Sequence, residues 1–395
     1  MAYVSSTRLD AARRIMEEFA RSTGLLPEGY PRRYLWTDAF AVFNFLELHR
    51  LTGEELYKQL ALRLVDQVHH VLGKHRGDDG RSGWISGLED HEAEEHPTAR
   101  GLRIGKKLPE RGPNEPYDPI LEWERDGQYY HYLTKWMLAL CRVAQATGDA
   151  KYLRCSVELA EVAHTAFTYT SPLDGRKHLY WKMSIDLSRP LVPQEGQHDA
   201  LDGLITYAEL QAASPAGSLY LRDQVADALS MCRERDWSEW VTDDPLGVGE
   251  LLSLSFRAAR LTLEGMDYLA ELLHPLLEAA HVSLRAYLSK DFLNLPASRR
   301  LAFRELGLSI GLHAAKRLKA LAGKLRALHH PLLKDVERFA SMSEEIEKFW
   351  LNPASWEADT WVEHRDINMV MLATSLIPDG YLGRLPSSVQ REDLR

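Results

Sequence analysis

The chain has 395 residues, of which 45% are hydrophobic and 27% charged, with a formal net charge of −9 at pH 7. That length favours two domains by ordinary size scaling, yet no Gly/Ser/Pro-rich stretch and no run of like charge marks a linker, so one domain over 1–395 is expected. The charge argues against a nucleic-acid partner, because phosphate binding needs a concentrated basic face and the Lys and Arg residues here are scattered.

In chain order, apolar residues recur at three- and four-residue spacing over 6–23, 38–51, 54–74, 128–146, 150–167, 199–213, 219–235, 247–263, 266–289, 299–321, 333–350 and 364–376, which predicts a helix in each. Alternating strand patterns are nearly absent; His178 to Ile185 is the best candidate, as a hairpin arm inside a loop. Two connections are long. Residues 76–126 far exceed the usual connection of about 4–6 residues, and 168–197 form a second. Their tryptophans and apolar residues argue for ordered lids rather than disorder. No apolar run approaches the roughly 20 residues that span a bilayer, and the first residues lack the apolar core of a signal peptide. Cys141, Cys155 and Cys232 are isolated, as buried thiols in a reducing compartment would be, so a cytoplasmic protein without a membrane partner is expected. Assembly into a homo-oligomer stays open.

An internal repeat organises the helices. Thr52-Gly53-Glu54 is followed by Tyr57 and then His69; Thr147-Gly148-Asp149 is followed by Tyr152 and then His164, with the same spacing. Each copy closes one Leu-rich helix and opens another. The chemistry is that of a left-handed glycine cap, followed by an acid where the next helix dipole favours negative charge.

A helix, a Thr-Gly-acid-x-x-Tyr turn and a second helix, repeated in a chain of this length, resemble the six-hairpin (α/α)6 toroids. That superfamily includes glycoside hydrolases and N-acylglucosamine 2-epimerases. The resemblance implies an all-α ring of six helical hairpins with long polar loops over one rim, 76–126 lying over the mouth. No catalytic motif of either family is matched in full, so no catalytic assignment follows from it.

If the Thr-Gly turns share one rim, the opposite rim carries the starts of alternate helices. Those starts are polar: Trp36-Thr37-Asp38, Asp126-Gly127-Gln128 through His131, Gln197-His198-Asp199, Asp243-Asp244, Arg299-Arg300, and His364-Arg365-Asp366. Aromatic faces stack on the C–H faces of sugar rings while acids, amides and Arg take the hydroxyls, and polar groups among aromatic walls are the general make-up of a ligand pocket. Glycoside hydrolysis needs two carboxylates in different protonation states; epimerisation needs two proton carriers on opposite faces of the substrate, a task suited to His. The catalytic candidates are therefore Asp38, Glu124, Asp126, His198 and His364. Those expected to hold substrate are Trp36, Arg103, Trp123, Gln128, His131, Trp181, Gln197, Asp199, Arg365 and Asp366.

Each has an ordinary structural alternative, since an Asp at a helix start is commonly a cap and a Trp at helical spacing commonly core. His91-Glu92-Ala93-Glu94-Glu95-His96 fails as a zinc-protease helix because Glu95 stands where the second His belongs. No metal and no cofactor is expected. The substrate class is a sugar or glycoside, neutral or anionic, since converging helix N-termini favour negative charge. Hydrolase is the leading reading, sugar epimerase or isomerase the next, and a non-catalytic helical binding protein the alternative from another class.

Overall fold

A computed structural model describes residues 6–26, 29–215, 220–328 and 331–386. The chain divides into two compact units, Ala20–Glu234 and a second built from Met1–Phe19 with Arg235–Arg395. The opening helix, α1 (Ser6–Ser22), is followed in the first unit by three hairpins. These are α2 (Leu35–Thr52) with α3 (Glu55–Leu72), then α6 (Tyr130–Thr147) with α7 (Ala150–Phe167), then α8 (Asp199–Ala213) with α9 (Arg222–Arg233). Two short helices, α4 (Asp90–Glu95) and α5 (Pro119–Glu124), lie in the first long connection.

Helices α2, α6 and α8 pack side by side and form the inner layer. Residues 35 to 48 of α2 are all buried, as expected for a helix apolar on every face. The outer partners bury one stripe each; α3 buries Tyr57, Leu60, Leu64, Val68 and Leu72 at helical spacing. Both repeat turns are built alike. Gly53 and Gly148 each sit at φ 73°, and their N–H groups donate to His49 O and Ala144 O, both at 2.8 Å. The Thr52 and Thr147 hydroxyls donate back to Leu48 O and Val143 O, again at 2.8 Å.

The long connections are ordered. Strands β1 (Gln128–Tyr129), β4 (Lys182–Met183) and β5 (Pro190–Val192) form an antiparallel sheet in the order β1-β4-β5, with Gln128 opposite Met183 and Tyr129 opposite Lys182. Strands β2 (Thr168–Thr170) and β3 (Lys177–Leu179) form a separate hairpin, so the expected arm between His178 and Ile185 is two short strands rather than one.

In the second unit the inner helices are α10 (Pro245–Leu263), α12 (Ala302–Ala322) and α16 (Arg365–Leu376), flanked by α11 (Leu273–Leu288), α13 (Pro331–Glu337) and α14 (Met342–Leu351). The helix expected over 333–350 is broken at 338–341, where the Ser343 hydroxyl takes the Ala340 carbonyl at 2.8 Å and competes with the helical ladder. Two short helices, α15 (Asp359–Glu363) and α17 (Asp379–Leu382), complete this unit. A buried network ties it together: Glu347 accepts from Arg8 at 2.6 Å and from Ser375 at 2.7 Å, and lies 2.7 Å from His313 Nε2.

Candidate functional site

The first turns of the three inner helices of the Ala20–Glu234 unit converge, and the β1-β4-β5 sheet adds residues beside them. Helix α2 contributes Trp36, α6 contributes His131, Tyr132 and Lys135, and α8 contributes Asp199 and Asp202. Trp181 arrives from the residue before β4, because Tyr130 N donates to its carbonyl.

The imidazole of His131 is the centre of the cluster. Its ring lies 6.0 Å from Trp36, 4.8 Å edge-on to Tyr132, and stacks on Tyr129 at 5.4 Å and Trp181 at 6.1 Å, centroid to centroid. The indole Nε1 of Trp181 donates to His131 Nδ1 at 3.2 Å. An indole nitrogen only donates, so Nδ1 is the unprotonated atom and the imidazole proton sits on Nε2. Asp199 Oδ1 stands 3.8 Å from the same Nδ1. The wall continues outward, with Trp123 meeting Trp181 edge-to-face at 4.7 Å and itself 49% exposed.

Electrostatics sort the two aspartates of α8. Lys135 lies 2.8 Å from Asp202 Oδ1, and Thr134 donates to Oδ2, so Asp202 is held as a paired anion. Among the described residues Asp199 has no Lys or Arg partner of its own. Burial, aided by the charges of Asp202 and Glu195, pushes its pKa up to about 8, so the carboxyl is protonated at neutral pH. Its Oδ2 is buried without a hydrogen-bond partner among the described residues, as is Trp36 Nε1. Gly196 makes room for this carboxyl: a Cβ there would lie 2.3 Å from Oδ2. Burial and the Lys135 charge press the opposite way on His131, lowering its pKa to about 3.

Four of the expected site residues are anchors instead. Asp126 is fully buried and spends both oxygens within the fold: Arg103 and Arg76 reach Oδ2 at 2.6 and 3.3 Å, and the amides of Gly105, Lys106 and Gly127 reach Oδ1 at 3.0, 3.3 and 3.1 Å. Arg103 also donates to Lys74 O and Val71 O, both at 2.6 Å, so it ties its loop to the end of α3. Gln128 accepts from Leu102 N at 2.9 Å and donates to Arg100 O and Ile185 O at 2.9 and 2.7 Å, which bolts the two long connections together. Asp38 is buried between Arg33 at 3.1 Å and Tyr34 N at 2.9 Å, an ion pair and cap rather than an open acid.

Among the other candidates, Glu124 and Gln197 are exposed and His198 is half-buried at the start of α8. His364, Arg365 and Asp366 open α16 in the other unit, where His364 packs edge-on against Phe303 at 5.4 Å and Arg365 pairs with Glu18 at 2.9 Å. Sequence reasoning gave no site role to Tyr129, Tyr132 and Lys135. Tyr129 stood within the polar start that runs from Asp126 through His131, and Lys135 carried a signal as a charged residue on the second turn of a helix otherwise marked for burial.

A separate cavity of about 410 Å³ shares none of these residues; Val65, His70, Trp84, His96 and Tyr152 help line it. Among the described residues no group of three or more His, Cys, Asp and Glu is arranged to hold a metal ion, and no helix is long and apolar enough to cross a membrane.

No family model and no curated protein matches the sequence. Solved structures do. A family 76 glycoside hydrolase from a bovine Bacteroides thetaiotaomicron strain superposes with a TM-score of 0.54 at 14% identity, covering 95% of this chain and 78% of that one. The GH76A alpha-1,6-mannanase of a Salegentibacter species superposes with a TM-score of 0.50 at 13% identity, covering 94% of this chain and 99% of that one. The cellobiose 2-epimerase of Spirochaeta thermophila follows at 0.48 and 14%, covering 84% and 86%. The two glycoside hydrolase superpositions show the fold: it is all-α, of the (α/α)6 toroid class.

Proposed function

We propose that this chain is a carbohydrate-active enzyme working by acid/base chemistry at the Asp199–His131 cluster, with glycoside hydrolysis as its reaction. The observation that carries this reading is Asp199 itself: a buried carboxyl, protonated at neutral pH, with one oxygen that has no hydrogen-bond partner among the described residues. A group in that state donates a proton to a leaving-group oxygen, which is the harder half of glycoside cleavage at neutral pH. The aromatic wall of Trp36, Trp181 and Trp123 suits stacked sugar rings, and the similar solved structures include mannanases. Glu195, which lies 3.2 Å from His178 Nδ1 and acts on Asp199 through its charge, is the carboxylate proposed to activate water. Glu124, Gln197 and His198 are proposed as further substrate contacts.

Epimerisation is the second reading, and the similar structures include a cellobiose 2-epimerase. It is less well supported by His131, whose Nδ1 accepts from Trp181 and whose Nε2 carries a proton, so the ring is not a free base.

The test is a panel of disaccharides and aryl glycosides with wild type and Asp199→Asn. The variant should lose about 100-fold or more in kcat on alkyl glycosides and disaccharides, and much less on aryl glycosides whose leaving groups need no proton. Equal turnover of all substrates by the variant removes Asp199 from the reaction. Solvent deuterium appearing at a ring carbon without bond cleavage establishes the epimerase reading.

A further inference from the structure

We infer that the substrate bears an acidic group, a carboxylate or a phosphate, and that Lys106 is the residue that selects it. The inference rests on the sugar-enzyme reading above and names the class of sugar.

Lys106 is half-buried, its Nζ 5.6 Å from the centroid of the Tyr34 ring. That ring meets Tyr132 edge-on at 5.5 Å, and Tyr132 in turn packs on both His131 and Trp36. The ammonium therefore stands one aromatic layer from the cluster. The two fully buried lysines of this unit each hold a carboxylate, Lys135 on Asp202 at 2.8 Å and Lys182 on Glu122 at 2.9 Å. Lys106 has none within 4.0 Å among the described residues. The nearby anions do not fill that role: Asp126 is taken by Arg103 and Arg76, and Glu124 is exposed and beyond ion-pair distance.

The polarity of the remaining groups agrees. Among the described residues, the buried Trp36 Nε1–H has no partner, and none takes up the proton that His131 carries on Nε2. Two N–H groups and an ammonium, all donors without an acceptor among the described residues, complement a ligand that supplies oxygen. A partly desolvated ammonium is costly without a counter-ion, and a ligand carboxylate or phosphate removes that cost. Lys, rather than Arg, suits a group recognised as a point charge.

Equilibrium titration calorimetry at constant ionic strength tests this with D-glucuronate, D-glucose 6-phosphate and D-glucose as probes, and acetate and inorganic phosphate as controls. One acidic sugar should bind about tenfold or more tighter than glucose, and which one does so identifies the acidic group. Lys106→Gln should abolish that preference while leaving the affinity for glucose unchanged, and Lys106→Arg should restore part of it. Equal binding of neutral and acidic sugars, or a preference untouched by Lys106→Gln, overturns the inference without touching the acid role of Asp199, which is read by turnover. Binding of acetate and phosphate as tightly as the sugars overturns it as well, as a bare ion site. If no sugar binds, the enzyme reading falls, and the inference with it.

Discussion

Trp181 donates its indole N–H to Nδ1 of His131 across 3.2 Å, and this one hydrogen bond decides what the imidazole can do. It occupies the nitrogen that would otherwise accept a proton and leaves Nε2–H as a donor. Trp181→Phe keeps most of the stacking and removes the donor. The pKa of His131, about 3 in the wild type, should rise by about one unit or more in the variant. The sign follows from linkage. A folded value below the ordinary 6.5 means that the unfolded chain binds the proton first, so this group's stabilisation is complete above pH 6.5 and is lost as pH falls toward 3. The variant's acid-side loss should begin at the same pH and be smaller. The imidazole 15N shifts followed against pH check this; an unchanged titration shows that burial and the Lys135 charge set the value without the indole.

Asp126 separates an anchor from a catalyst. Its two oxygens hold two guanidiniums and three backbone amides at zero exposure, so Asp126→Ala strands buried positive charge. The expected cost is about 3–5 kcal/mol, the usual penalty for breaking a buried pair from one side. Urea unfolding measures it, and amide exchange should show the losses concentrated around Arg103 to Lys106. A variant with wild-type stability and no activity would return Asp126 to the list of catalytic acids.

The helical layers were legible because the pattern that marks a buried helix is the pattern that packs it. Helices α7 and α8 begin and end where periodicity placed them, and the Thr-Gly turns are the caps their residues require. The site was legible only in part. Polar residues at helix starts locate a rim, but position along the chain does not say whether a side chain is already spent. Asp38, Asp126 and Asp199 look alike as acids near helix starts. Two are closed by arginines that arrive from Arg33, Arg76 and Arg103, while Asp199 stays open because the nearby cation, Lys135, goes to Asp202. Arg33 stands only five residues before Asp38, but the pairings of Asp126 with Arg76 and Arg103 and of Asp202 with Lys135 join distant parts of the chain and leave no local signature.

Asp199 should cost the folded protein stability at the pH where it works. Its folded pKa of about 8 lies above the ordinary carboxylate value of 3.8, so between those limits the unfolded chain is ionised while the folded one holds the proton. The folded state then binds more protons, and stability falls as pH rises through that window, by up to about 1.4 kcal/mol per pH unit. Below pH 3.8 both states are protonated and the penalty vanishes. Asp199→Asn keeps the shape and removes the titration. The variant should therefore melt near the wild type at pH 4 and progressively above it toward pH 8, while losing turnover. Melting temperatures of both proteins across pH 4–9 check the slope. A constant difference between the two curves means that Asp199 ionises normally, and the neutral acid on which the mechanism depends is then absent.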